Sequence, residues 1–174
     1  MCQNLKDIRL RHTLAKLSAF PPGLDPLYKR MIQEVSKSDD ADLCKRILAL
    51  VSIIYRPITL IELTALIKIS EDPDNLESLG EIISDCGSFL AIRDGTIYFV
   101  HQSARDYLCT KTFDIIFPSG EGEVHYEVFS RSLQVMSETL RRDIYSIRAP
   151  GYPIEQVRQP DPDPLAASRY SCIY

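Results

Sequence analysis

The sequence predicts a mainly α-helical protein built on a winged helix, and three observations carry that expectation. Short helices with capping signals follow one another through residues 38–87. The hydrophobic period then changes from helical to β-rich on either side of Arg93-Asp94-Gly95, and a new helix start follows the second β-rich run directly. A three-helix core with a β-hairpin wing accounts for this order, flanked by additional helices and a Pro-rich C-terminal segment.

Each element has its own signal. Residues 1–19 place Leu5, Ile8, Leu14 and Leu17 among many charges, the pattern of a helix without a clear cap. Pro21-Pro22-Gly23 breaks the chain; Asp25 is then expected as a cap, Pro26 in the first turn, and Leu27, Met31 and Val35 as an inner face at spacing four. Ser38-Asp39-Asp40 separates a second helix, in which Leu43, Ile47, Leu50, Val51 and Ile54 recur until Arg56-Pro57 stops it. Thr59 with Glu62 forms a capping box that predicts a helix over about Leu60 to Ile69. Asp74 with Glu77 repeats that logic for a helix carrying Leu76, Leu79, Ile82, Ile83 and Cys86 inward, with Gly87 as terminator.

Ser88 to Ile92 and Thr96 to Val100 flank the turn as the strands of a hairpin. Ser103 with Asp106 gives a further box, so that a helix should carry Ala104, Tyr107 and Leu108 inward. Beyond a break at Phe113 to Gly120, Glu123 to Ser146 reads as the longest helix, with a stripe of Val124, Val128, Leu133, Met136, Leu140 and Ile144. The last 25 residues hold five of the eleven prolines, which leaves a linker or an irregular strap, regular only at its very end.

Composition narrows the function classes. The 174 residues carry a net charge of −4, so the chain lacks the general attraction to phosphate backbones on which non-specific nucleic-acid binding rests. Five widely spaced cysteines, with Cys44 and Cys86 inside apolar helical patterns, point to free thiols in a reducing, cytoplasmic setting. The apolar stretch Ile47 to Tyr55 is far short of the ~20 residues a spanning helix needs, so no membrane partner is expected. No glycine precedes a Lys-Ser or Lys-Thr pair, which excludes a phosphate-binding loop. There is no Cys-x-x-Cys pair and the three histidines are scattered, so no metal site is expected either.

Catalytic residues are not expected. His101 lies near Ser103, Asp106 and Cys109, but capping and packing explain that spacing better than a nucleophile and base would. Asp39/Asp40 and Asp161/Asp163 fall in turn and proline contexts, where solvated carboxylates are the ordinary reading. The alternative of a DNA-binding winged helix rests on the third helix entering the major groove. That helix offers Asp74, Glu77, Glu81 and Asp85 with no Lys or Arg, and the wing only Arg93 beside Asp94, so no nucleic-acid partner is expected. His101, at the end of the second hairpin strand, has two readings: a structural residue, or a donor pointing from a rigid strand end toward an anion such as a phosphate.

The run Pro21-Pro22-Gly23-Leu24-Asp25-Pro26-Leu27-Tyr28, the run Tyr55 to Leu63, and above all Gly87 to Leu90 and Ile97-Tyr98-Phe99-Val100-His101-Gln102-Ser103-Ala104-Arg105-Asp106-Tyr107-Leu108 resemble a known family. They are similar to the region after the NACHT domain in fungal STAND receptors of the heterokaryon-incompatibility type, a segment also labelled the GPI inositol-deacylase-type winged-helix domain. The resemblance implies a non-catalytic regulatory segment, separated here from its nucleotide-binding domain as a fragment of a longer receptor. It divides the chain into residues 1–37, the end of a NACHT-like helical region; 38–112, the winged-helix domain; 113–149, the long helix of a following helical region; and 150–174, a Pro-rich linker with the truncated start of a next helix.

In such receptors the winged helix closes over ADP at rest and swings away on exchange for ATP. The resemblance therefore implies no cofactor for the chain alone, ADP/ATP in the parent architecture, and as partners a NACHT domain in cis or trans and other protein domains. His101 falls where the family's phosphate-sensing histidine stands, in Val100-His101-Gln102, which lacks the acidic third position of the Met-His-Asp motif of plant receptors.

Overall fold

The computed structural model describes residues 23–67 and 75–174, with the side chains of residues 75–78 outside that description. The helix expected within residues 1–19 and the Asp74/Glu77 box lie outside the described residues.

Helix α1 (Asp25–Val35) buries Tyr28, Ile32 and Val35. The expected face is therefore shifted by one residue, leaving Leu27 exposed and Met31 at the edge of the core. Leu24, not Asp25, occupies the N-cap position, and it makes no side-chain cap; Pro26 sits in the first turn as expected. Helix α2 (Ala41–Ile53) shows why a single-face reading falls short. Every residue from Ile47 to Ile53 is buried, so the helix is surrounded on all sides and forms the axis of the core.

A short strand, β1 (Ile58–Thr59), leads directly into α3 (Leu60–Leu66) through the expected capping box. Helix α4 (Asn75–Asp85) follows, and Leu79, Ile83 and Cys86 are buried. Gly87 then turns the chain with φ +69, and a Cβ there would stand 2.9 Å from Cγ2 of Val35, so the end of α4 meets α1 closely enough to require glycine. Strands β2 (Leu90–Arg93) and β3 (Thr96–Phe99) form the wing. Its two-residue turn has Asp94 at φ 50 and Gly95 at φ 71, the doubly left-handed geometry of a type I′ hairpin.

The sheet has the order β1-β3-β2 and is antiparallel throughout, with Ile58 opposite Ile97 and Ile92 opposite Ile97 on the other side. Sequence reading missed β1 because two residues carry no period; its partners on β3, Ile97 and Thr96, lie far along the chain and supply the evidence.

Helix α5 (Gln102–Lys111) leaves the wing and buries Ala104, Tyr107 and Leu108 as expected. The segment expected to be a plain break contains α6 (Phe113–Ile116). Helix α7 (Glu121–Thr139) ends well before Ser146, and left-handed Asp143, Ser146 and Arg148 carry the chain away. The Asp143 carboxylate accepts from the amides of Ile147 (2.7 Å) and Arg148 (2.9 Å), which stabilises that departure. Leu133, expected on the inner stripe, is exposed, while Ser132 and Val135 are buried.

The C-terminal segment returns to the body. Asp163 is not a solvated carboxylate: its side chain is 7% exposed and accepts from Arg169 at 2.7 Å and from the Tyr145 hydroxyl at 3.1 Å. Helix α8 (Arg169–Ile173) packs against α7, with Tyr170 buried in the core and the Arg56 guanidinium 5.4 Å above its ring. Cys44 and Cys86 are free and fully buried, as small hydrophobes. No helix of the described residues is long and apolar enough to cross a membrane.

Candidate functional site

The wing delivers His101 to the start of α5. The Val100 amide donates to the Phe89 carbonyl (2.9 Å), closing the hairpin one residue earlier, and His101 remains extended at φ −150, ψ 144 before the chain turns into the helix. His101 is therefore the N-cap, a position where side-chain acceptors satisfy the free amides of the first turn. Its Nδ1 accepts from the Ser103 amide at 3.1 Å and lies 2.7 Å from Ser103 Oγ. Ser103 is thus not the capping residue of a Ser103/Asp106 box; it is the second residue of the helix, and its own amide is the group being capped. Asp106 is exposed and accepts from the Gln102 side-chain amide at 3.3 Å.

The arrangement fixes the imidazole. Because Nδ1 accepts a backbone N–H, the proton of the neutral ring is carried on Nε2. Ser103 Oγ is also 2.8 Å from the hydroxyl of Tyr28 on α1. The buried Tyr28 ring stacks against Phe89 (centroids 5.8 Å apart) and meets Tyr107 at 5.4 Å. A hydrogen-bonded chain therefore runs from a core aromatic cluster through Ser103 to an exposed histidine. Tyr28 is the supporting residue that sequence reading did not assign, and Ser103, expected as the cap itself, supports the histidine instead. Tyr28 stood in the Pro-Pro-Gly-Leu-Asp-Pro-Leu-Tyr run without a role, and nothing local links it to a serine 75 positions away.

Chemically, His101 can offer one Nε2–H donor at the positive end of a ten-residue helix, an environment that favours an anion. The cleft on this side of the wing, about 250 Å³, is lined by Gln102, Arg105, Tyr98 and Arg56 among others, and His101 is not part of its wall. Arg105 is tied down by donating from Nε to the Ser52 carbonyl (2.8 Å), which fastens α5 to the central helix. His101 and Ser103 are brought together, but Ser103 Oγ is engaged by Tyr28 and Nδ1 by the helix amide, so the pair is a cap rather than a nucleophile with its base. Cys109, the other candidate nucleophile, is half-buried against the core, and burial pushes its thiol upward.

The helix that stands in the position of a DNA-reading helix stays acidic: Glu81 and Asp85 are exposed, Asn75–Asp85 contains no Lys or Arg, and the wing tip carries Arg93 next to Asp94.

Three helices, a short first strand, a β-hairpin in the order β1-β3-β2 and a helix leaving the wing together define a winged-helix domain. The family model for the GPI inositol-deacylase winged helix domain matches residues 28–117, and the chain belongs to that family. It is also 51% identical over 189 aligned residues to the vegetative incompatibility protein HET-E-1 of Podospora anserina. That alignment covers 100% of this chain and 14% of HET-E-1, so the chain spans about one seventh of the length of that relative. No solved structure matches the chain.

Proposed function

We propose that this chain is a non-catalytic regulatory and interaction segment of a fungal NACHT-type receptor of the cytoplasm, controlling nucleotide-dependent activation in the longer protein. In this reading it takes up ADP or ATP only jointly with a NACHT domain, in cis or in trans. The observation that carries the reading is the His101 cap, in which Nδ1 is committed to the helix and Nε2–H is left as a donor on an exposed residue. One ring nitrogen held by a backbone amide gives the other a set direction, and a directed donor beside a helix N-terminus suits a phosphate oxygen. The resemblance of Gly87 to Leu108 to the post-NACHT region supports reading that phosphate as one of ADP, and the similarity to HET-E-1 across the whole chain supports a place in a large incompatibility protein.

Calorimetric titration of ADP tests the proposal in three mixtures: the chain alone, the matching NACHT domain alone, and the two together. The chain alone should take up no ADP, and the pair should hold it more tightly than the NACHT domain does by itself. Identical affinity of the NACHT domain with and without the chain would refute the regulatory reading.

A further inference from the structure

The cleft beside the wing lies between the C-terminus of α2, strand β3 and the first turn of α5. Its floor is apolar, with Val51, Ile54 and Ile97 buried. Its polar wall consists of Arg56, Gln102 and Arg105, and among the described residues neither a lysine nor a carboxylate lines it. Tyr55 and Tyr98 complete the rim at 74% and 40% exposure, and Tyr55 is held by stacking on Tyr174 with ring centroids 5.5 Å apart. Tyrosine and arginine around an apolar floor, without lysine or acidic residues, is the composition found at the energetic centre of protein–protein interfaces.

The two arginines differ in what they have left to offer. Arg56 is committed: both of its Nη groups donate to the Glu62 carboxylate, which neutralises it. Arg105 is half-buried and donates from Nε to the Ser52 carbonyl (2.8 Å), one of the last carbonyls of α2. That bond orients the guanidinium, while Nη1 and Nη2 donate to no group and Arg105 enters no ion pair among the described residues. Asp106, its neighbour in sequence, is engaged by the Gln102 amide at 3.3 Å. An oriented guanidinium with both outer nitrogens unpaired matches a carboxylate bidentately. One unneutralised cation answers a monoanion and leaves a charge of a phosphate dianion unmet. The cleft volume, about 250 Å³, falls below the roughly 300–1,000 Å³ of pockets that enclose a small molecule, and fits a side chain delivered by a larger partner.

We propose that this cleft receives an aspartate or glutamate side chain of a protein partner, whose carboxylate takes Nη1 and Nη2 of Arg105 and whose adjoining apolar residue lies against Tyr55 and Tyr98. An uncharged segment in the same place would bury the Arg105 charge without an answer, so the cleft discriminates against it. Binding needs no nucleotide and makes no use of His101, which lies outside the cleft wall.

NMR titration of the full chain, followed at the backbone amides and at the arginine Nε–H groups, tests this with the blocked peptides acetyl-Phe-Glu-Phe-amide and acetyl-Phe-Gln-Phe-amide. The glutamate peptide should bind in the millimolar range and shift Tyr55, Tyr98, Gln102 and Arg105, and the glutamine peptide should bind about tenfold more weakly or worse. Arg105→Gln should abolish the preference for glutamate. Tyr55→Ala, at an exposed position, should weaken the glutamate peptide by about tenfold, and it keeps the test decisive if Arg105→Gln lowers the melting temperature through loss of the Ser52 bond. No shift at these residues up to about 10 mM glutamate peptide, equal affinity for the two peptides, binding unchanged by Tyr55→Ala, or tighter occupation of the same residues by inorganic phosphate or ADP would overturn the proposal.

Discussion

Helices α3 and α5 both start at the end of a β-strand, and both are capped by the residue before them, yet they meet the demand of the first turn in opposite ways. At α3 the circuit is closed. Thr59 Oγ1 accepts from the Glu62 amide (3.2 Å), the Glu62 carboxylate accepts from the Thr59 amide (2.9 Å), and Arg56 donates to both carboxylate oxygens at 2.6 and 3.1 Å. Glu62, with a side chain 2% exposed, has no capacity left for anything outside the fold. At α5 the circuit is open: His101 spends one ring nitrogen on the helix and keeps the other on an exposed residue. A cap that consumes all its valences holds structure. A cap that leaves one over has something to offer a partner.

The contrast is most severely tested by removing Arg56. Arg56→Ala leaves the Glu62 carboxylate buried without its cation and uncovers Tyr170, and should cost roughly 2–4 kcal/mol in chemical denaturation. Acid probes the same pair. Burial pushes the Glu62 carboxyl upward, but hydrogen bonds from Arg56 and Thr59 outweigh it and hold it below the ordinary carboxylate range. A folded value lower than the unfolded one means that the stabilisation is complete above about pH 4.3 and is lost as pH falls through the folded value. Thermal melts should therefore decline below about pH 4, and Glu62→Gln should flatten that decline.

Thr59→Ala removes one cap acceptor and should cost about 1 kcal/mol, read from the same denaturation curves. His101→Asn should have the smallest effect, within about 0.5 kcal/mol, because asparagine also accepts at an N-cap. A larger loss would mean that the α5 start is as structural as the α3 start.

How much of this was legible in the sequence depends on how local each feature is. The Thr59/Glu62 box spans three residues and could be read directly, as could the Asp94-Gly95 turn. The partner of Glu62 could not: Arg56 reads as the residue before a helix-stopping proline, and only the fold sets it over a buried carboxylate. Position 101 was legible as a histidine at the end of the second hairpin strand, but its capping role was assigned to Ser103 and Asp106, because serine is a far commoner cap than histidine. On α1, Leu27-Met31-Val35 and Tyr28-Ile32-Val35 are both helical stripes; contact with Ser103 on a distant helix selects the second. The apolar pattern of α7 overstated both its length and its uniformity, since a run of hydrophobic residues does not reveal that half of them face outward.

The most direct test of the proposed function is the ADP affinity of the chain paired with a NACHT domain, measured by calorimetry for native His101 and for His101→Asn. Asparagine keeps the cap and removes the outward Nε2–H, so the account predicts weaker ADP binding with an unchanged melting temperature. Equal affinity for the two proteins would contradict it and leave His101 with the same closed, structural role as Thr59.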